Sequence, residues 1–266
     1  MDTETNPAPA APRRTLLVRR GRGRTGGSTG LDLWIQRGRE AGRRVKPLDG
    51  DLRSRTLSLR YPAQDEAGEP IPDGASSPSS EEPTDMQKWL RGELDLMAEG
   101  DGSAVLDLGG GDRVVQEFVR DLSLRDYCDE LGVRLVEAYF LGPDLEDFSH
   151  VVEVARSRDL QAHKTLLVLN EGLVRHGQTT RGVFEPLTHR PEFRELVQDG
   201  AAVILLTRLV CMQEVVERGF GFYDAVRGAP DRTGRLISPT TRFLIRKWLS
   251  DHEAQHEQAG TLEWLP

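Results

Sequence analysis

The sequence predicts an α/β protein with a doubly wound, mostly parallel sheet and helices on both of its faces. Two observations predict it. Short apolar runs alternate with amphipathic segments from residue 15 to residue 256, the order that successive βαβ units produce. The first run also leads directly into a glycine-rich turn and then an amphipathic segment, RRGRGRTGGSTG followed by LDLWIQRG. Strand, glycine turn and helix N-terminus is the arrangement that gathers backbone N–H groups around a phosphate.

The elements follow in order. Buried strands are expected at TLLV (15–18), RVKPLD (44–49), SAVLDL (103–108), VRLVEAYFL (133–141), KTLLVLN (164–170) and AAVILL (201–206). Helices are expected at 28–40, 84–98, 113–120, 144–156, 191–198 and 239–256. In the second of these, Trp89, Leu90, Leu94 and Met97 recur at helical spacing and form a core-facing stripe. Asp144 reads as the N-cap of the fourth. The last is capped by Ser238 or Thr240 and carries Phe243, Leu244, Trp248 and Leu249. It reads as packed on the sheet rather than as a membrane anchor, because its second half is acidic and lacks the basic enrichment of an anchor.

Between the second strand and the second helix lies YPAQDEAGEPIPDGASSPSSEEPT (61–84), acidic and rich in Pro, Ser and Gly, without periodicity. Strands continue on both sides of it, so it reads as a flexible insertion in one domain, 13–258, with tails at 1–12 and 259–266. The composition, 37% hydrophobic and 29% charged, excludes a wholly disordered chain. No apolar stretch reaches the roughly 18 residues of a membrane span, and MDTETNPAPAAPRR lacks the order of a secretory signal. A cytoplasmic protein is expected, with Cys128 and Cys211 as buried thiols. Arginines crowd residues 13–60 while 65–85 are acidic, although the net charge is -8. The gradient fits either a nucleic-acid-binding face or a solvated surface.

Three strand ends carry the chemistry. The first turn follows G-x-x-x-x-G-K-[ST] except that Gly27 stands where the lysine belongs. Asp49 and Asp51 follow the second strand. A carboxylate there could orient an attacking water or hold Mg²⁺ through its waters, and a polar turn is the alternative reading. Asp107 ends the third strand, before Gly109, Gly110 and Gly111. A carboxylate at a buried strand end beside a phosphate loop is suited to the Mg²⁺ side of phosphoryl-transfer chemistry. No histidine spacing resembles a metal motif; His252 and His256, four apart on a helix, read as an exposed polar face. No serine has the setting of a hydrolase nucleophile.

Together these elements resemble the ParA/MinD family of P-loop ATPases. Arg22, Gly23, Arg24, Thr25, Gly26, Gly27 and Ser28 fall on K-G-G-x-G-K-[ST], with Thr29 next, and Asp49 and Asp51 on the DxD element, with TLS (56–58) following. Asp107 to Gly110 fall on DxxGG, Asn170 on the strand-end asparagine that meets adenine, and Arg208, Glu214, Gly219, Tyr223 and Asp224 on the segment that follows the last strand. The resemblance spans most of residues 15–250. It implies ATP with Mg²⁺: Ser28, Asp49 and Asp107 toward the metal, residues 23–29, Gly110, Asn170 and Arg208 toward the nucleotide, and Asp49, Asp51 and Arg22 in catalysis.

It also implies a homodimer that sandwiches nucleotide, in plasmid partition or conjugal transfer, with DNA or a partition or transfer protein as partner. The departures are Gly27, which removes the loop lysine, and Arg22 and Arg24, which replace a lysine and a glycine. Hydrolysis is therefore expected to be weak or lost. Two readings stay open: the arginines replace the lysines, or the loop is a relic in a pseudo-ATPase that serves as an adaptor.

Overall fold

The computed structural model describes residues 14–108, 113–231 and 233–266. Six strands, β1 (Thr15–Arg20), β2 (Val45–Asp49), β3 (Ser103–Asp107), β4 (Arg134–Leu141), β5 (Lys164–Asn170) and β6 (Ala202–Leu206), form one sheet in the order β2-β3-β1-β4-β5-β6. Every pairing is parallel. The helices are α1 (Gly27–Glu40), α2 (Thr56–Arg60), α3 (Pro83–Glu99), α4 (Arg113–Asp121), α5 (Leu124–Glu130) and α6 (Leu145–Ser157). They continue with α7 (Thr180–Thr188), α8 (Pro191–Gln198), α9 (Met212–Glu217), α10 (Phe222–Arg227) and α11 (Pro239–Gln258). The doubly wound α/β architecture expected from the sequence is present.

Two-residue periodicity divides β1 between the faces. Leu17 packs with Leu31, Trp34 and Ile35 of α1, Leu57 of α2, Phe222 of α10 and Trp248 of α11. Leu16 and Val18 pack on the other side with Met86, Leu90 and Leu94 of α3 and with Phe118 and Leu124. Farther along that second side, Tyr139, Leu141 and Leu167 meet α6, α7 and α8 through Phe148, Phe184 and Phe193. The stripe expected on α3 is buried except for Trp89, which is half-buried. Asp144 caps α6 by accepting from the Glu146 N–H at 2.9 Å, and Ser238 caps α11.

The structure departs from the sequence expectations in four places. First, β1 runs two residues beyond TLLV, because Arg19 and Arg20 each find a strand partner and a carboxylate on a neighbouring strand. Second, His252 and His256 are buried, not exposed. The inward stripe of α11 is Thr241, Ile245, Trp248, His252 and His256, whereas Phe243 faces outward. His252 Nε2 accepts from the Trp34 indole N–H at 3.1 Å, and His256 Nδ1 lies 2.7 Å from the Thr261 hydroxyl. Burial lowers their pKa values to about 4 and about 3.

Third, the residues after α11 are seated rather than a tail: Thr261 and Leu265 are fully buried, and Leu265 joins the α1 core. Fourth, five helices of five to nine residues, α2, α5, α7, α9 and α10, stand where no helix is expected from the sequence. They are too short to show a period, and Pro186 sits inside α7. Residues 61–82 form turns, and Ser76 runs alongside β2, donating to the Pro47 carbonyl at 3.0 Å and accepting from the Asp49 N–H at 2.8 Å.

Candidate phosphate site

β1 lies in the middle of the sheet, and the loop after it, 21–26, passes over the strand ends into α1. Gly21 and Gly26 take positive φ, 110° and 82°, and so does Arg24 at 66°. Gly26 is required twice over: its backbone is left-handed, and an added Cβ would lie 2.1 Å from Asn170 Nδ2. Asn170 donates to the Thr25 carbonyl at 2.9 Å and accepts from the Gly172 N–H at 2.9 Å. It thereby fastens the loop to the end of β5, with both polar atoms of its amide engaged.

Gly27, at the lysine position, has ordinary helical backbone, so conformation does not demand glycine there. Space does. An added Cβ would meet Arg19 Nε at 2.0 Å. Arg19 comes up from β1 on the α1 face, 3% exposed. Its Nη1 donates to Asp107 Oδ1 at 2.8 Å and its Nη2 to the Arg22 carbonyl at 2.8 Å. Its Nε has no hydrogen-bond partner among the described residues.

Ser28, on the first turn of α1, donates to Asp107 Oδ2 at 2.8 Å. Asp107 thus ties the strand arginine Arg19 and the helix serine together from β3. The register places Arg19 beside Asp107 and Asp107 beside Asp49, so one cation and two carboxylates stand in a row across three strand ends.

Asp49 is 1% exposed. Its Oδ2 accepts from the Ser58 N–H at 2.7 Å, while Oδ1 has no hydrogen-bond partner among the described residues. Burial raises its pKa, and neighbouring Asp107 adds to the effect. Asp51 instead folds back on its own turn, with Oδ1 accepting from the N–H groups of Arg53 and Ser54 at 3.2 and 3.1 Å. Of the two aspartates read from the sequence, Asp49 faces the site and Asp51 shapes the turn beside it.

The remaining residues divide similarly. Thr25 is buried and donates to the Arg22 carbonyl at 3.1 Å. Arg22 reaches out to α6, 3.2 Å from Glu146 and 3.7 Å from Asp147, and Gly23 and Arg24 are exposed. Neither Arg22 nor Arg24 fills the lysine's space. The backbone N–H of Arg208, beyond β6, donates to Glu171 Oε2 at 2.9 Å. Gly110 lies outside the described residues.

Beside Ser28 and Thr29 a cleft of about 1060 Å³ opens between α1, α2 and the chain around α9, lined also by Leu59, Arg60, Val216 and Leu236. Arg60 spans its floor, donating to the Gly219 and Phe220 carbonyls and lying 3.6 Å from Asp32. Among the described residues no group of three or more His, Cys, Asp or Glu side chains converges on one point, and no helix is long and apolar enough to cross a membrane.

The central β1, a glycine loop that runs straight into a helix, and a serine on that helix bonded to the aspartate of the adjacent strand decide the fold. The chain has a doubly wound α/β fold with a glycine loop of the P-loop kind between its central strand and its first helix. No family model matches the chain, and no curated protein matches it in sequence. Among solved structures, the MinD cell division protein of Aquifex aeolicus is 11% identical, with a TM-score of 0.47 over 89% of this chain and 97% of that one. The MinC:MinD cell division protein complex of Aquifex aeolicus is 12% identical, with a TM-score of 0.49 over 89% and 96%. FlhF complexed with GMPPNP and Mg²⁺ is 15% identical, with a TM-score of 0.38 over 67% and 63%.

At this site the sequence expectations did not include Arg19. A signal for it existed: two arginines directly after a four-residue apolar run, before the first glycine, with an aspartate ending another buried strand. A buried strand end accepts an arginine only where such a carboxylate meets it.

Proposed function

We propose that the chain binds a nucleoside triphosphate, ATP, with its phosphates against loop 21–29, and that it hydrolyses it weakly or not at all. The observation that supports this most is the bond from Ser28 to Asp107, which joins the start of α1 to the end of β3 beneath a loop of positive-φ residues. The N–H groups at the start of a helix, together with the helix dipole, favour an anion there. Thr25, Gly26, Gly27 and Ser28 supply backbone to it, and Asn170 holds that backbone in place.

The oxygens at the site suit Mg²⁺. Asp49 Oδ1 is buried and without a hydrogen-bond partner among the described residues, and Ser28 presents a hydroxyl at the helix start. Ser28 and Asp49 would hold the ion, with Asp107 orienting Ser28 from behind; the ion would offset phosphate charge. Asp51 shapes the turn that carries Asp49, and Arg208 and Asn170 border the strand ends where the base would lie. With no lysine at Gly27, the mobile donor that would follow the developing charge from the helix is missing. A loss of that kind costs about 100- to 1000-fold in rate.

In this reading the chain is a nucleotide-dependent dimerisation switch in plasmid partition or conjugal transfer, with DNA or a partition or transfer protein as partner. Its support is the motif resemblance. In the monomer Arg22 is held by Glu146 and Asp147 of its own α6, so reaching a second subunit requires that pair to open.

A second reading, an adaptor that binds no nucleotide, has its own observation in favour: both Asp107 oxygens already bond to groups of the same chain, Arg19 and Ser28. Calorimetric titration with ATP and ADP, each with and without Mg²⁺, separates the two. The first expects micromolar binding that Mg²⁺ strengthens and that Asp49→Ala weakens. No heat from a folded protein selects the adaptor.

A further inference from the structure

We infer that Arg19 is the phosphate cation of this loop: it enters from the strand instead of the helix, and its guanidinium fills the space a side chain at position 27 would need. The inference rests on the nucleotide-binding reading above and names the residue that would make it work.

The argument is one of space, charge and partner. Arg19 Nε lies 2.0 Å from where a Gly27 Cβ would stand, so with Arg19 in this position residue 27 has no room for a side chain. Residue 27 is glycine although its backbone is helical, where glycine costs about 1 kcal/mol relative to alanine. The close approach of Arg19 accounts for that choice.

The charge is built in rather than accidental. Removing an arginine from water is costly unless a carboxylate meets it, and Asp107 does so at 2.8 Å from the adjacent strand. The pairing leaves donors to spare. Nη2 is spent on the Arg22 carbonyl, a loop group that an incoming anion could replace, and Nε is buried with no hydrogen-bond partner among the described residues. A guanidinium with one edge fixed on a carboxylate and another toward the loop is prepared to meet phosphate oxygens with more than one N–H. Arg22 is drawn off to α6 and Arg24 stands exposed on the loop's rim, so neither arginine of the loop itself occupies that place.

The consequence is that positions 19 and 27 form one exchangeable unit. The test uses the full chain, with calorimetric affinity for ATP and for inorganic triphosphate, which lacks the base and sugar. Arg19→Met is expected to weaken both about 10- to 100-fold, the range of lost charged hydrogen bonds. Arg19→Ala combined with Gly27→Lys is expected to recover most of the loss, since the lysine then rises into the vacated space. Equal affinity of Arg19→Met and the parent, or a double variant no tighter than Arg19→Ala alone, overturns the inference.

If Arg19→Met does not fold, because Asp107 is left without its arginine, the double variant, which restores a cation, is compared with the parent by the same affinities. Gly27→Ala supplies a readout that needs no ligand. It is expected to lower the melting temperature in the parent and to raise it or leave it unchanged in an Arg19→Ala background; equal losses in both overturn the shared-space argument. A parent that binds neither ATP nor triphosphate removes the nucleotide reading and this inference together. A parent that binds, with Arg19→Met binding equally well, removes only this inference.

Discussion

Arg19 and Arg20 are consecutive residues of one strand, both buried, each within 3.0 Å of a carboxylate on a neighbouring strand. Because side chains alternate along a strand, they face opposite sides of the sheet. Arg19 emerges under the glycine loop, bonded to Asp107 and to a loop carbonyl. Arg20 is enclosed on the α6 side by Glu137 at 3.0 Å and Asp159 at 3.8 Å. Burial raises the pKa of Glu137, and Arg20 opposes the rise. The same residue type, at the same depth, is turned to a ligand site in one position and to holding the strands and α6 together in the next. The surroundings, and not the arginine, decide which.

The comparison breaks most visibly at Arg20. Arg20→Met strands Glu137 in the interior, and breaking a buried pair from one side costs about 3–5 kcal/mol. For a chain of this size that corresponds to a melting temperature lower by roughly 6–20 °C. Affinity of the folded fraction for ATP should stay within about twofold of the parent. A larger loss of affinity would join the two arginines into one functional unit.

The buried histidines give the next effect. Their folded pKa values, about 4 for His252 and about 3 for His256, lie below the ordinary value of 6.5. The unfolded chain therefore binds protons that the fold does not, and stability rises with pH across that window. It is fully present above about pH 6.5 and falls as the pH drops toward 4 and then 3, by up to about 1.4 kcal/mol per pH unit for each histidine. Urea unfolding at pH 7.5, 6.5 and 5.5 measures the slope, and replacing both histidines by glutamine should flatten it.

The smallest effect sharpens the picture of the loop's rim. Asp144→Ala removes the cap of α6 and should cost about 1 kcal/mol. It loosens the turn whose Glu146 and Asp147 hold Arg22, so the exchange of backbone amides in residues 145–148 should quicken while that of α1 does not.

Much of this was legible before the structure. The six strands, their order of appearance and the strand, loop and helix around Gly21–Ser28 follow from apolar runs and glycines, since a parallel sheet buried on both faces leaves little room for other residues there. The place of Asp49 and Asp107 at buried strand ends was legible too, because a carboxylate there is unusual enough to notice. Arg19 was not, since its meaning depends on which strand lies beside β1, and neighbours in the sheet are not neighbours in sequence. The histidines were misread for a related reason. On α11 they sit in a second half full of charged and polar residues, and only the contact with Trp34, more than two hundred residues away, shows that they face inward.

The outer border of β2 is where Ser76 settles, exchanging hydrogen bonds with Pro47 and Asp49. A bare outermost strand is an invitation to any other extended chain, the route by which sheets merge into larger aggregates. Here a stretch of the chain's own acidic, proline-bearing segment has already accepted that invitation at the end of the strand nearest the phosphate site. Association of two copies by continuing the sheet across that end of β2 would first have to peel Ser76 away, which directs self-assembly toward other surfaces.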